Sequence, residues 1–226
     1  MGILKDGIIT EKIKIDIMKK LLFILTLAMM MATILKSQSQ YEAGMQKAFG
    51  LWQEGKTNEA IAMFERIGQA EKDNWVPIYH AANVLISTQF QVEDNVMKNT
   101  MLEKAKKLIA EAHKRSENNS EITTLEGMLY TGYVAMDPGT FGMKYSPMIM
   151  QLHGKAVELD PENPRAHANK IEYEMGSARF FGNDLKPYCI QMKEIIPKFE
   201  NQKSDVLFAP SYGIERARQV AQSCDE

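Results

Sequence analysis

The chain has 226 residues, with 27 Lys and Arg against 29 Asp and Glu, a net charge of −2. That length suits one or two domains, and the near-neutral balance offers no basic field for nucleic acid. Charged residues at 25% and apolar ones at 45% exclude a disordered tail protein. Two cysteines are too few for a disulfide-dense scaffold or a four-cysteine metal site.

Residues 21–35, LLFILTLAMMMATIL, form an uncharged apolar run behind Lys19 and Lys20, with Lys36 and SQSQ after it. The run is short of the roughly 20 residues that a membrane span needs. A basic start, a short apolar core and a small-residue exit make a secretory signal peptide. Ser37 and Ser39 take the small positions, so cleavage is expected after Ser39. No cysteine follows the run to carry a lipid. Residues 1–17 stand ahead of where a signal normally starts, and Met18 is the better initiator. The expected organisation is residues 1–39 as extension and signal, and 40–226 as a periplasmic or secreted domain. Removing the six basic and three acidic residues of 1–39 leaves a net charge of −5. Such a domain has no electrostatic reason to sit on anionic membranes or DNA, and no stable membrane span remains after cleavage.

Residues 41–67 carry the first repeat. Met45, Ala48, Phe49 and Trp52 recur at helical spacing, Gly55 and Lys56 break the pattern, and Thr57 is placed to cap a second helix. Ala60, Ile61, Phe64 and Ile67 share one face of that helix. This hairpin resembles the tetratricopeptide repeat (TPR) family, whose small, glycine and aromatic positions hold Ala48, Gly55, Ala60 and Phe64; Lys72 departs from the family's proline. A second unit opens at Trp75, with Ala82 in its first helix and Ala105, Ile109 and Ala112 in its second. A third opens at Ser120 with Gly127 and Tyr130, and closes on AVELDPENP, where Ala156 and Pro161 keep the family's spacing. A fourth opens at Pro164 and degenerates after Gly176, with its second helix expected at 185–199 and Pro187 in the first turn. A last helix is expected at 211–223, capped by Ser211. The resemblance implies an all-α, right-handed TPR-like solenoid of about four hairpins plus a C-terminal capping helix. RFFG at 179–182 and PSYG at 210–213 also resemble a group of exported repeat proteins from Bacteroidetes, which implies no particular activity.

Catalytic machinery is not assembled by the sequence. His80, His113, His153 and His167 make no HxxxH or HExxH pair, although His153 and His167 flank the LDPENP turn. There is no GxSxG, no cysteine with an evident histidine partner, and no phosphate-binding glycine loop. The reading is a non-enzymatic protein without cofactor or metal.

The TPR resemblance implies that the first helix of each hairpin lines a concave groove. Its positions hold Met45, Phe49 and Trp52, then Tyr79, Asn83 and Ile86, then Glu121 and Met128, then Arg165 and Glu172. Aromatic residues and Met are enriched at interface centres, although a stripe at helical spacing is also a core signal. The family's lysine for chaperone tails is replaced by Met45 and Tyr79, which leaves only Asn83 of that clamp. Two insertions, near 90–100 and at 137–146 (DPGTFGMKYS), lengthen the turns between paired helices. The leading reading is an exported adaptor that binds a protein or peptide segment in the groove. The alternative is a small-molecule or glycan-binding accessory protein, its pocket closed by the insertions and the last helix. Cys189 and Cys224 are expected to pair, because residues 211–223 would fold back against 185–199 in an oxidising compartment.

Overall fold

A computed structural model of the protein describes Met18 and residues 38–223. The expected signal at 21–35 lies outside the described residues, and so does Cys224. Contacts divide the chain into two units, residues 1–46 and 47–226. Helix α1, over 38–53, begins in the first unit and ends in the second. The second unit continues with α2 (Thr57–Ala70), α3 (Val76–Gln89), α4 (Asn95–Arg115), α5 (Ser120–Met136) and α6 (Pro138–Leu159). Then come α7 (Pro164–Phe180), α8 (Lys186–Asn201) and α9 (Ile214–Gln222). Every regular element among the described residues is a helix. From α2 to α9 each helix packs on the next, and α3, α5 and α7 also touch in turn. The fold is an all-α, TPR-like solenoid of paired helices with a C-terminal helix laid on α8.

Helix starts follow from short polar side chains. Asp94, Asn119, Asp137 and Asn163 each sit at an N-cap and accept from backbone N–H groups of the first turn. Pro138 and Pro164 begin α6 and α7, where a proline forfeits no helical hydrogen bond. The LDPENP turn is tied inward as well. Asn163 Nδ2 donates to Ser120 Oγ at 3.0 Å, and Ser120 Oγ donates to the Ala156 carbonyl at 2.7 Å. Arg115, at the end of α4, donates to the carbonyls of Gly68, Glu71 and Asn74 at 2.8, 3.0 and 3.0 Å, which satisfies the close of α2.

Three expected caps and turns differ. Thr57 is the first residue of α2 rather than its cap; Lys56 takes that place without a side-chain bond. Ser211 does not cap the last helix either. Gly213 does, at φ +111°, a left-handed value that an L side chain resists. The insertions are mostly helix, not loop. Near 90–100 the extra residues become the first turns of α4, and 138–146 become the first turns of α6. Asp137 alone joins α5 to α6. The added turns of α6 are amphipathic. Phe141 and Tyr145 stack on each other at 5.5 Å and reach Tyr133 and Tyr130 of α5 at 5.4 and 4.9 Å. Pro138, Gly142, Met143 and Pro147 of the same turns line a cavity instead.

The last three helices share a core of Ala168, Ile171 and Met175 from α7, Cys189, Met192 and Ile195 from α8, and Ala217, Val220 and Ala221 from α9. It covers the apolar end that a stacked array would otherwise expose.

Gly127 illustrates how tightly α5 and α6 meet. A Cβ there would lie 2.5 Å from His153 Cε1, and His153 is buried. Gly127→Ala is expected to destabilise by roughly 1–3 kcal/mol in urea unfolding through overpacking. Gly154→Ala, with open space beside it, is expected to stabilise by up to ~1 kcal/mol from helix propensity alone. Equal effects of the two would contradict this packing.

Candidate functional site

The inner face of the second unit starts as an aromatic cluster. Phe49 meets Phe64 at 5.1 Å and His80 at 4.7 Å, both edge-on, and Tyr79 meets His80 at 5.3 Å. Over this cluster lies the chain's own segment 202–213. Phe208 stacks on Phe49 at 6.1 Å, and its carbonyl is 2.8 Å from His80 Nε2. The hydroxyls of Tyr79 and Tyr212 meet at 2.5 Å, and that of Tyr212 donates to Asn83 Oδ1 at 3.2 Å.

Arg165 holds the far end of the segment. Its Nε donates to both Glu121 oxygens, at 3.1 and 2.9 Å, and its Nη2 to Oε1 at 2.6 Å. Its Nη1 donates to Gln202 Oε1 at 2.7 Å and to the Tyr212 carbonyl at 3.3 Å. The Tyr212 ring lies 5.8 Å from the guanidinium carbon. Arg165 is 2% exposed. Burial opposes its charge, and the Glu121 carboxylate more than offsets that, so its pKa moves up. Burial also drives the Tyr79 and Tyr212 hydroxyls well above the usual tyrosine range.

The expected groove residues therefore separate. Tyr79, Asn83, Ile86 and Arg165 are buried, and Tyr79, Asn83 and Arg165 are bonded to residues 202–213. Phe49 and Trp52 are half-buried and, with His80, Phe208 and Tyr212, line a remaining cleft of about 590 Å³. Met45 belongs to the first unit and is itself buried. Cys189 is buried among α7, α8 and α9.

Met128 and Glu172 face a different space. A cavity of about 970 Å³ opens between α5, α6 and α7. Helix α5 gives Met128, Thr131, Val134 and Ala135; α6 gives Pro138, Gly139, Gly142, Met143, Ser146, Pro147 and His153. Helix α7 gives Asn169, Glu172, Tyr173, Gly176, Ser177 and Phe180, and Phe181 follows it. The polar lining is largely bonded elsewhere. Thr131 and Ser146 hydroxyls donate back to the Gly127 and Gly142 carbonyls at 2.9 and 2.7 Å, Asn169 donates to the Arg165 carbonyl, and Glu172 accepts from Arg216 of α9. What the cavity presents is mainly carbon. Its neighbours Met143, Phe180 and Phe181 are 95%, 77% and 71% exposed, an arrangement that costs an isolated protein apolar burial. The added turns of α6 wall this cavity, as expected of a pocket-forming insertion; α9 is not part of its lining.

Sequence reasoning missed Phe180, Phe181, Met143, Pro147 and Tyr173. The signal was present in RFFG and in the 3.6-residue period of 138–147. It also missed the pairing of Glu121 with Arg165. They occupy the same place in the third and fourth repeats, and stacking brings equivalent places together.

Two buried histidines give the fold an acid limit. Burial pushes His80 down to about 4. Burial, with Lys170 nearby, pushes His153 down to about 4 as well. Neither Nδ1 has a hydrogen-bond partner. Unfolded histidines titrate near 6.5, so below that pH the unfolded chain binds more protons. Stability present above pH 6.5 is then lost as pH falls toward 4. Urea unfolding at pH 7.5 and pH 5.0 is expected to differ by about 2 kcal/mol per histidine; equal stability at the two values would contradict neutral burial.

No protein-family model and no curated protein matches the chain. Among solved structures it is similar to the HusA haemophore from Porphyromonas gingivalis, at 21% identity and a TM-score of 0.70, over 81% of this chain and 91% of that one. It is also similar to MamA from Desulfovibrio magneticus RS-1, at 16% identity over 73% of this chain and 78% of that one, with a TM-score of 0.46 that carries no weight for function. The likeness to HusA shows a shared helical fold. Among the described residues no helix is long and apolar enough to cross a membrane.

Proposed function

We propose that the chain is an exported, non-enzymatic binding protein that carries an apolar small molecule between α5, α6 and α7. One observation supports this over the expected groove adaptor. The inner face is covered by residues 202–213, whereas the cavity of about 970 Å³ stays open and carbon-lined. Ligand pockets run to roughly 300–1,000 Å³ and are mostly apolar, with a few placed polar groups. Here those groups would be His153 and Tyr173. The rim of Met143, Phe180 and Phe181 suits a flat ring system, since Met and aromatic side chains grip rings by their faces and edges. HusA is named a haemophore, which makes haem the first natural ligand to try.

Residues 40–226 should be titrated with haemin, read by absorbance, and with the uncharged dye N-phenyl-1-naphthylamine, read by fluorescence. Saturable binding of either is expected. Gly176→Trp places an indole where a Cβ meets nothing within 4 Å, on the cavity wall. It is expected to weaken binding at least tenfold with an unchanged melting temperature. Undiminished binding by this variant would refute the cavity as the site.

Export also carries the proposed bridge between Cys189 and Cys224. Cys189 lies in the core that α9 shares with α8, and Cys224 follows α9 closely in the sequence. A bridge closing about 35 residues would contribute roughly 3–4 kcal/mol. Thiol counting on denatured, non-reduced protein is expected to find none; two free thiols per chain would refute the bridge.

A further inference from the structure

We propose that residues 202–213 are a latch that fixes the spacing of α5 and α7, with Arg165 and Tyr212 as positioning residues for the cavity those helices wall. This rests on the cavity being a ligand site. Arg165 lies in the first turn of α7 and Glu121 in the first turn of α5. Their double hydrogen bond joins the two walls at one end, while the cavity rim, at Ala135 and Phe180, lies at the other.

The latch decides how strong that joint is. An exposed ion pair is worth little, because water screens it. A pair removed from water attracts far more strongly. Gln202 and the Tyr212 carbonyl accept from Nη1 of Arg165, and the Tyr212 ring lies against it. Those three contacts cover Arg165, at 2% exposure, and leave the Glu121 side chain only 13% exposed. Arg216 of α9 also bonds the cavity-lining Glu172 at 2.8 Å, but at the surface, where the Arg216 side chain is 63% exposed and the pair adds little. Residues 203–207 of the latch are exposed, while Phe208, at φ +59°, an unfavourable value for a residue with a side chain, is held by Phe49 and His80. A buried ion pair seldom adds stability over an apolar equivalent. Its value here is position: it sets the distance between two helices.

Tyr212→Ala removes a peg and Gln202→Ala, at a half-buried site, removes one acceptor. Ile195→Val in the core that α7, α8 and α9 share serves as a destabilised variant with the latch intact. N-phenyl-1-naphthylamine dissociation is measured by stopped flow, and hydrogen exchange is followed over residues 174–181. The dye is expected to leave both latch variants at least tenfold faster than Ile195→Val, with exchange in 174–181 accelerated to match. If the dye binds wild type and leaves all variants at one rate, the latch is refuted and the cavity reading stands. If wild type binds no dye, haemin takes its place in the same measurement; if it binds neither, the cavity reading falls and exchange alone decides the latch: acceleration in the latch variants supports it, and exchange equal to Ile195→Val refutes it. Should Tyr212→Ala not fold, Gln202→Ala carries the same comparison.

Discussion

A guanidinium keeps its charge at any pH a protein meets, so a fold that buries one must supply its acceptors. Arg165 is the place where this fold accepts that constraint. Glu121 neutralises it, and Gln202 and the Tyr212 carbonyl accept from its Nη1. The three acceptors come from α5, from the residue just after α8, and from the connector to α9. One side chain thereby orients the third repeat, the fourth repeat and the C-terminal segment relative to one another. Residues 202–213 cover much of the inner face and leave a cleft of about 590 Å³ beside Phe49 and Trp52, while a cavity of about 970 Å³ opens between α5, α6 and α7. Where a helical array commonly receives a partner's segment, this one has received its own.

The helices were legible because their causes are local. Hydrophobic period, Asx caps and prolines at first turns act within a few residues, and they place Asn119, Asn163 and Pro164 where the helices begin. The buried stripe was legible too, from Tyr79 to Arg165. Its role was not. Whether a stripe is groove or core depends on what covers it, and Tyr212 lies more than a hundred residues from Tyr79 in the chain. Nothing in local pattern carries that information.

The insertions show the same division. Residues 137–146 contain two glycines and a proline, and read as a turn. Tertiary context overrides this, because Phe141 and Tyr145 find Tyr133 and Tyr130 on α5 and the helix is extended to make those contacts. The same turns present Met143 and Pro147 on their other side, toward the cavity. A segment recruited for packing on one face thus furnishes a ligand wall on the other, and only the first half of that statement is visible as periodicity.

The great sequence distance between the latch and its seat has a kinetic meaning. Paired neighbouring helices close small loops and form early, whereas contacts between residues 79–83 and 208–212 require almost the whole second unit to be in place. For a chain that emerges amino-terminus first, the hairpins are assembled while the inner face is still wet and Arg165 and Glu121 are still hydrated. Dehydration of that pair is then the closing event of folding, performed by the last stretch of chain to arrive. Until it happens, a newly made molecule offers its aromatic inner face to whatever escorts it.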